Sequence, residues 1–211
     1  MSSSFRIVWV VRHAEREDNF NPNWQSLPQA RGLADDDPFL SERGRRQAQE
    51  VAARFRNIPL AHVFASPFYR TMQTASIVVA GKKILIKPEP GLCEALHHCC
   101  SPPGFMNSLR LKQIFPLTDT SYVPVFTKET LPKEPFADNA SVPRVRHTFT
   151  QITQKYKGDL LFVSHAPPIG AIHEAWNYCY VCVGQATRTL VTYLIKEILG
   201  LFRSYYYCGS M

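Results

Sequence analysis

The stretch FRIVWVVRHAERED, residues 5–18, opens as an almost unbroken apolar run and ends in a knot of charge. A continuous run rich in β-branched residues predicts a strand buried on both faces, the habit of a parallel sheet. Arg12 and His13 then stand at the strand's carboxyl end. An arginine and a histidine side by side there are either a strand end meeting water or the lip of a reactive site.

The pattern recurs along the chain. AHVFA (61–65), KILIK (83–87) and DLLFVS (159–164) read as further strands. Helical stretches alternate with them. In LSERGRRQAQEVAARF (40–55), Ser41 suits an N-cap, and Leu40, Ala48, Val51, Ala52 and Phe55 form an apolar stripe. SPFYRTMQTASIVVAG (66–81) offers Ser66 as N-cap, Pro67 at the first helical position and Gly81 as a stop. VPRVRHTFTQITQKYKG (142–158) predicts a helix ending at Gly158, and APPIGAIHEAWNY (166–178) begins another. ATRTLVTYLI (186–195) and LFRSYYYC (201–208) alternate and predict a hairpin, with Gly200 in the connection.

This order predicts an α/β fold in one domain, residues 1–211. It is a three-layer α/β/α sandwich around a mainly parallel, mixed central sheet. Residues 17–38 read as a long loop. Residues 97–143 read as an insertion over the active site, proline-rich from Pro102 onward, with a short helical patch near 105–115.

The 211 residues, 45% hydrophobic and 19% charged, suit a soluble globular chain. The net charge of +7 favours anionic partners: phosphorylated substrates, nucleic acid or acidic membrane surfaces. Basic residues never run beyond a pair and no RNA-binding signature appears, which speaks against nucleic acid. No segment has the length of a membrane span, and the apolar tail TLVTYLIKEILGLF (189–202) is broken by Lys196 and Glu197. The N-terminus lacks the basic leader and cleavage site of a signal peptide, so a cytoplasmic location is the default expectation. The six cysteines are therefore expected as free thiols. HHCC (97–100) with CYVC (179–182) offers zinc-ligand types, but vicinal cysteines serve one ion poorly, and no metal is expected.

In parallel α/β folds ligands bind outside the carboxyl ends of the strands. Here those ends deliver Arg12 and His13, then Ser66 with Arg70, then the loop PEPGLCE with Glu94, then His165. The helix N-termini add N–H donors that attract anions. Arg70 sits in a first helical turn, where a cation opposes the helix dipole and calls for an anion nearby. Arginine forks match phosphate oxygens, and a neutral imidazole can act as a nucleophile, so the set suits phosphoryl chemistry. Arg16 lies among Glu15, Glu17 and Asp18, where a surface ion pair is the alternative. His62, His147 and His173 read as structural or exposed, and His97 and His98 as loop residues past Glu94.

The strings R-H-A-E-R (12–16), L-S-x-x-G-x-x-Q-A (40–48), A-S-P-x-x-R-x-x-Q-T-A (65–75), E-P-G-L-x-E (89–94) and V-S-H-A (163–166) occur in this order. In that order they resemble the histidine phosphatase superfamily, the phosphoglycerate mutase-like group. The chain is most similar there to the phosphatase domain of ubiquitin-associated and SH3 domain-containing proteins, whose other modules are not expected within these residues. The resemblance implies His13 as nucleophile, with Arg12, Arg70 and His165 holding phosphoryl oxygens and Arg16 adding a contact. It implies Glu94 as general acid and then base, without cofactor or metal, and it leaves a homodimer open. Ala14 and Ala166 stand where the family usually has glycine; a positive φ at either would cost about 1 kcal/mol or more.

The function expected is phosphomonoester hydrolysis through phospho-His13, on a phosphorylated small molecule or a phosphotyrosine protein. The alternatives are a phosphoglycerate mutase-like transferase and a catalytically weak member that binds phosphorylated ligands or proteins.

Overall fold

The computed structural model describes residues 6–175 apart from Asp138, and the backbone of 191–196; for 173–175, too, only the backbone is described. Strands β1 (Arg6–Arg12), β2 (His62–Ala65), β3 (Ile86–Pro88), β4 (Leu160–Ser164) and β5 (Val191–Lys196) form one sheet in the order β3-β2-β4-β1-β5. The first four are mutually parallel, and β5 runs antiparallel beside β1. The mixed, mainly parallel sheet expected from the sequence is present.

Alternate residues of the strands feed two cores. Trp9, Val11, Val63, Ala65, Leu161 and Val163 pack against Val51 and Phe55 of α1 (Glu42–Phe55) and Met72 and Ala75 of α2 (Tyr69–Val78). On the other face, Val8, Val10, Phe64, Leu160 and Phe162 meet Val145, Phe149 and Ile152 of α4 (Val142–Lys155). Ile169 and Ile172 of α5 (Ala166–Ala175) join them there. Strands apolar at every position are thus explained by helices on both faces. Leu111 of α3 (Ser108–Ile114), with Phe115, joins the first core.

Several sequence boundaries shift. The helix expected from Ser66 starts at Tyr69, with Phe68 as cap residue and no side-chain cap. Ser66 is drawn instead to His165, as shown below. The strand expected over 83–87 pairs only at 86–88, because Ile86 takes its partners from β2 and from Leu117 and Asp119. The helix expected to Gly158 ends at Lys155: Tyr156 is extended and Gly158 turns with φ +77°. Residues 17–38 hold short 3₁₀ turns around Trp24, Ala30 and Phe39. The region 97–143 is anchored to the body through the buried Phe105, Leu111 and Phe115. β5 falls within the first strand of the expected hairpin; LFRSYYYC, Gly200 and CYVC lie outside the described residues.

Candidate active site

The register brings the strand ends level. Val11 and Arg12 pair with Val163 and Ser164, and Ala65 with Val163, so β1, β2 and β4 finish together. After β1 and β2 the chain turns to helices on one face, and after β4 to α5 on the other. The crevice opened by that divergence holds His13 and His165, ring centroids 5.1 Å apart.

His13 is buried, and its N–H bonds the Ser164 carbonyl at 2.9 Å. Its Nδ1 lies 2.8 Å from the carbonyl oxygen of Ala14. A carbonyl only accepts, so Nδ1 carries the proton and Nε2 keeps the lone pair. Burial, then the charge of Arg70, with lesser contributions from Arg12 and Arg16, holds His13 well below the usual histidine range. The ring is neutral at neutral pH.

His165 Nε2 is 2.8 Å from Ser66 Oγ. With that hydroxyl donating, the proton of the neutral ring sits on Nδ1, 3.5 Å from Glu94 Oε2. Burial and then Arg70 keep this histidine, too, well below its ordinary pKa. Phe68 packs against it edge-on at 5.4 Å.

Arg70 is 1% exposed. Its Nη1 donates to the Asp36 carbonyl at 3.0 Å and lies 3.9 Å from Asp37 Oδ1. Phe68 lies under the guanidinium at 4.4 Å, and Nη2 is 4.0 Å from Glu94 Oε2. Arg12 Nε, Arg70 Nε and His165 Nδ1 are buried without a hydrogen-bond partner. Buried donors left unpaired are costly and call for an explanation. Donors of this kind, on residues whose charge or ring acts on His13, have the chemistry to take an oxyanion.

Arg16 is less committed. Its side chain is 33% exposed and forks onto Asp18, with Nε 2.8 Å from Oδ1 and Nη2 close to Oδ2. The ion pair weighed in the sequence is therefore formed, although the charge of Arg16 still acts on His13 and His165. His97 is half-buried and packs on His98 and Phe136, just past Glu94. His62 packs on Tyr156, and His147 is exposed beside Phe126. The side chain of His173 lies outside those described.

The motif letters around these groups have physical jobs. Ser41 Oγ accepts from the Gly44 N–H and donates to Glu15, and the Ser41 N–H reaches the Glu15 carbonyl. A Cβ on Gly44 would collide with that carbonyl. Gln47 accepts from the Glu15 N–H, Gln73 from the Leu40 N–H and Thr74 from the Ala14 N–H. Residues 14–16 are thus clamped between α1 and α2. The methyl of Ala14 is buried with Leu40 and Ala48, and Ala166 is the first residue of α5, a conformation any L-residue takes. The alanines fit the fold as it stands.

The sequence reading missed Ser66 as a partner of His165. It also missed Arg144, wholly buried in α4, which donates to the carbonyls of Gly91, Cys93 and Glu94 and pairs with Glu134 at 2.6 Å. Glu89, which accepts from the N–H groups of Gly91 and Val125 and from the Tyr122 hydroxyl, was missed as well. These contacts fix the loop that presents Glu94, and those of Arg144 with residues 91–94 and of Glu89 with 122–125 join residues over 30 positions apart, which no local pattern announces.

The ligand atoms of His13, Glu94 and His165 lie within 4.8 Å of one another and are of types that bind metals. The guanidinium charges that depress His13 make the same space favourable to an anion and unfavourable to a dication. Elsewhere, a surface cleft of about 830 Å³ between α1 and α2 is lined by none of these residues.

The family model of the histidine phosphatase superfamily (branch 1) matches residues 8–181. The chain belongs to this superfamily. Among curated proteins it is 32% identical to human ubiquitin-associated and SH3 domain-containing protein A over 195 residues, 75% of this chain and 29% of that protein. It is 34% identical to phosphoserine phosphatase 1 of Hydrogenobacter thermophilus over 88 residues, 42% of this chain and 38% of that one. The chain thus spans only about a third of the length of these relatives. Among solved structures, the ecdysone phosphate phosphatase of Bombix mori in complex with tungstate has a TM-score of 0.66 at 20% identity. That alignment covers 98% of this chain and 96% of the other. Bacillus stearothermophilus YhfR gives a TM-score of 0.60 at 18% identity, over 98% of both chains. At that identity the structures speak for the fold, and they agree with the sandwich described above. The superfamily read from the sequence motifs is the one whose family model matches the chain. No helix among the described residues is long and apolar enough to cross a membrane.

Proposed function

We propose that this chain is a metal-independent phosphomonoesterase of the histidine acid phosphatase type. The observation that carries the reading is a neutral His13, under the charges of Arg70 and Arg12 and beside His165, with buried donors left unpaired on all three of those neighbours. In the first step His13 Nε2 attacks phosphorus while the ester P–O bond breaks. Glu94 delivers a proton to the departing oxygen. In the second step the Glu94 carboxylate takes a proton from water, whose oxygen attacks phosphorus as the P–N bond breaks, releasing orthophosphate. The arginines supply the charge stabilisation that phosphoryl transfer needs. Arg16 joins them if it leaves Asp18. A cytoplasmic setting, phosphorylated small molecules or phosphotyrosine proteins as substrates, and a homodimer belong to the same reading.

The test is hydrolysis of para-nitrophenyl phosphate by the wild type and by His13→Ala. The wild type should release phosphate, and the variant should lose about a thousandfold or more, the scale for an activated nucleophile. Activity surviving in His13→Ala would remove the nucleophile. For Glu94→Gln, kcat should fall chiefly on esters with poor leaving groups; an equal loss on every ester would make Glu94 structural.

A further inference from the structure

We propose that Asp37 is a positioning residue of the phosphate pocket: with Asp36 it fixes one edge of the Arg70 guanidinium so that the opposite edge faces the phosphoryl group. This rests on the phosphatase reading of Arg70. The Asp36 carbonyl and Asp37 Oδ1 both lie beside Nη1, at 3.0 and 3.9 Å. The ring of Phe68 sets the plane. One edge and one face being held, Nε and Nη2 point in a single direction, a fork prepared for two oxygens before substrate arrives.

Packing does not require a charge at position 37. Asp37 is wholly buried, its Oδ2 has no hydrogen-bond partner, and Oδ1 accepts the Tyr69 N–H at 2.5 Å. An amide oxygen would accept that bond equally well. A buried carboxylate is expensive unless paired. The groups facing it are Arg70 of α2, Asp36 of its own loop and Lys128 beyond α3. Burial lifts the Asp37 carboxyl to about 7 against the pull of Arg70, so the fold tolerates this charge rather than gaining from it.

The same loop reaches the insertion. Asp36 Oδ2 accepts from the N–H groups of Cys100 and Gly104, at 2.8 and 3.1 Å, and a Cβ on Gly104 would strike the Asp36 carboxylate. The 100–104 turn and Arg70 are therefore held by adjacent residues, which gives the 97–143 region a mechanical link to the phosphate fork.

The experiment is a double-mutant cycle read by calorimetric binding of inorganic phosphate to the full chain at about pH 8, with Asp37→Asn, Arg70→Lys and both. Asn keeps the acceptor for Tyr69 and removes the charge. Asp37→Asn should weaken phosphate binding about tenfold, the scale of one close charge pair in a buried site, and by less than about twofold once Arg70 is lysine. The wild-type advantage should shrink from about pH 8 to about pH 6, as Asp37 gains its proton. Asp37→Ser, which can still take the Tyr69 N–H, should reproduce the loss. Unchanged affinity in Asp37→Asn, equal losses in both backgrounds, or a wild type that binds no phosphate would each overturn the assignment. The expected cycle in a protein that hydrolyses no ester would leave Asp37 in its role and remove the hydrolase reading instead.

Discussion

The strand-end framework and the region 97–143 meet at the same pocket and are held by different means. In the framework, residues 12–16, 40–48 and 66–75, uncharged polar side chains bond backbone N–H groups: Ser41 to Gly44, Gln47 to Glu15, Gln73 to Leu40, Thr74 to Ala14. Around the insertion, buried charges do the holding: Glu134 to Arg144 of α4, and Glu89 to Tyr122, Val125 and Phe126. The first scheme leaves its trace as fixed letters at fixed spacing. The second leaves none, because any chain path that brings the charges together serves.

The contrast is most sharply broken at Arg144. Arg144→Ala leaves the Glu134 carboxylate buried and uncompensated, so a loss of about 3–5 kcal/mol is expected in urea unfolding. Adding Glu134→Ala should return part of it. A loss below about 1 kcal/mol would mean that the insertion is not held by buried charge. Next is Gly44→Ala, in the framework. The added methyl must push α1 from Glu15, at about 1–3 kcal/mol by thermal denaturation. It should also lower kcat, because Glu15 follows Ala14 and His13 on the same clamped loop.

A pH series separates the groups further. His13 and His165 are held below their ordinary pKa by burial, so the stability they contribute is present above about pH 6.5 and fades as the pH falls through their folded values. Asp37 acts in the opposite direction. Its carboxyl is lifted to about 7, so its contribution is full at about pH 4 and is lost as the pH rises through 7. Asp37→Asn should therefore melt higher than wild type at about pH 8 while binding phosphate more weakly, with the stability gap closing toward pH 4. A gap that widens in acid would reverse this account. The smallest effect belongs to Phe136, 89% exposed on the rim beside His97. Phe136→Ala should change stability by no more than about 0.5 kcal/mol, and a larger drop would show the rim to be part of the insertion's core.

Legibility in the sequence followed this division. Strand β1 was readable because both its faces are buried, and α1 because Ser41 and the apolar stripe bound it. The N-terminus of α2 was misread. Ser66-Pro67 has the letters of a helix start, yet the Ser66 hydroxyl is better used on His165, and the helix waits until Tyr69. Arg16 was read as a pocket group or an ion pair, and its contact with Asp18 is a two-residue matter that a sequence can pose but not decide.

The sequence by itself determined the alternating strands and helices, the sheet they form and the arrival of Arg12, His13, Arg70, Glu94 and His165 at strand ends. Those follow from the periodicity of the apolar residues and from the polar residues that end each apolar run. Only the tertiary structure decided which of these groups stay unpaired, which way the His13 proton points, and that Asp36, Asp37 and Arg144 hold the others in place. Those depend on burial and on distances between residues far apart in sequence, and a buried charge reveals its partner only when the fold has brought the two together.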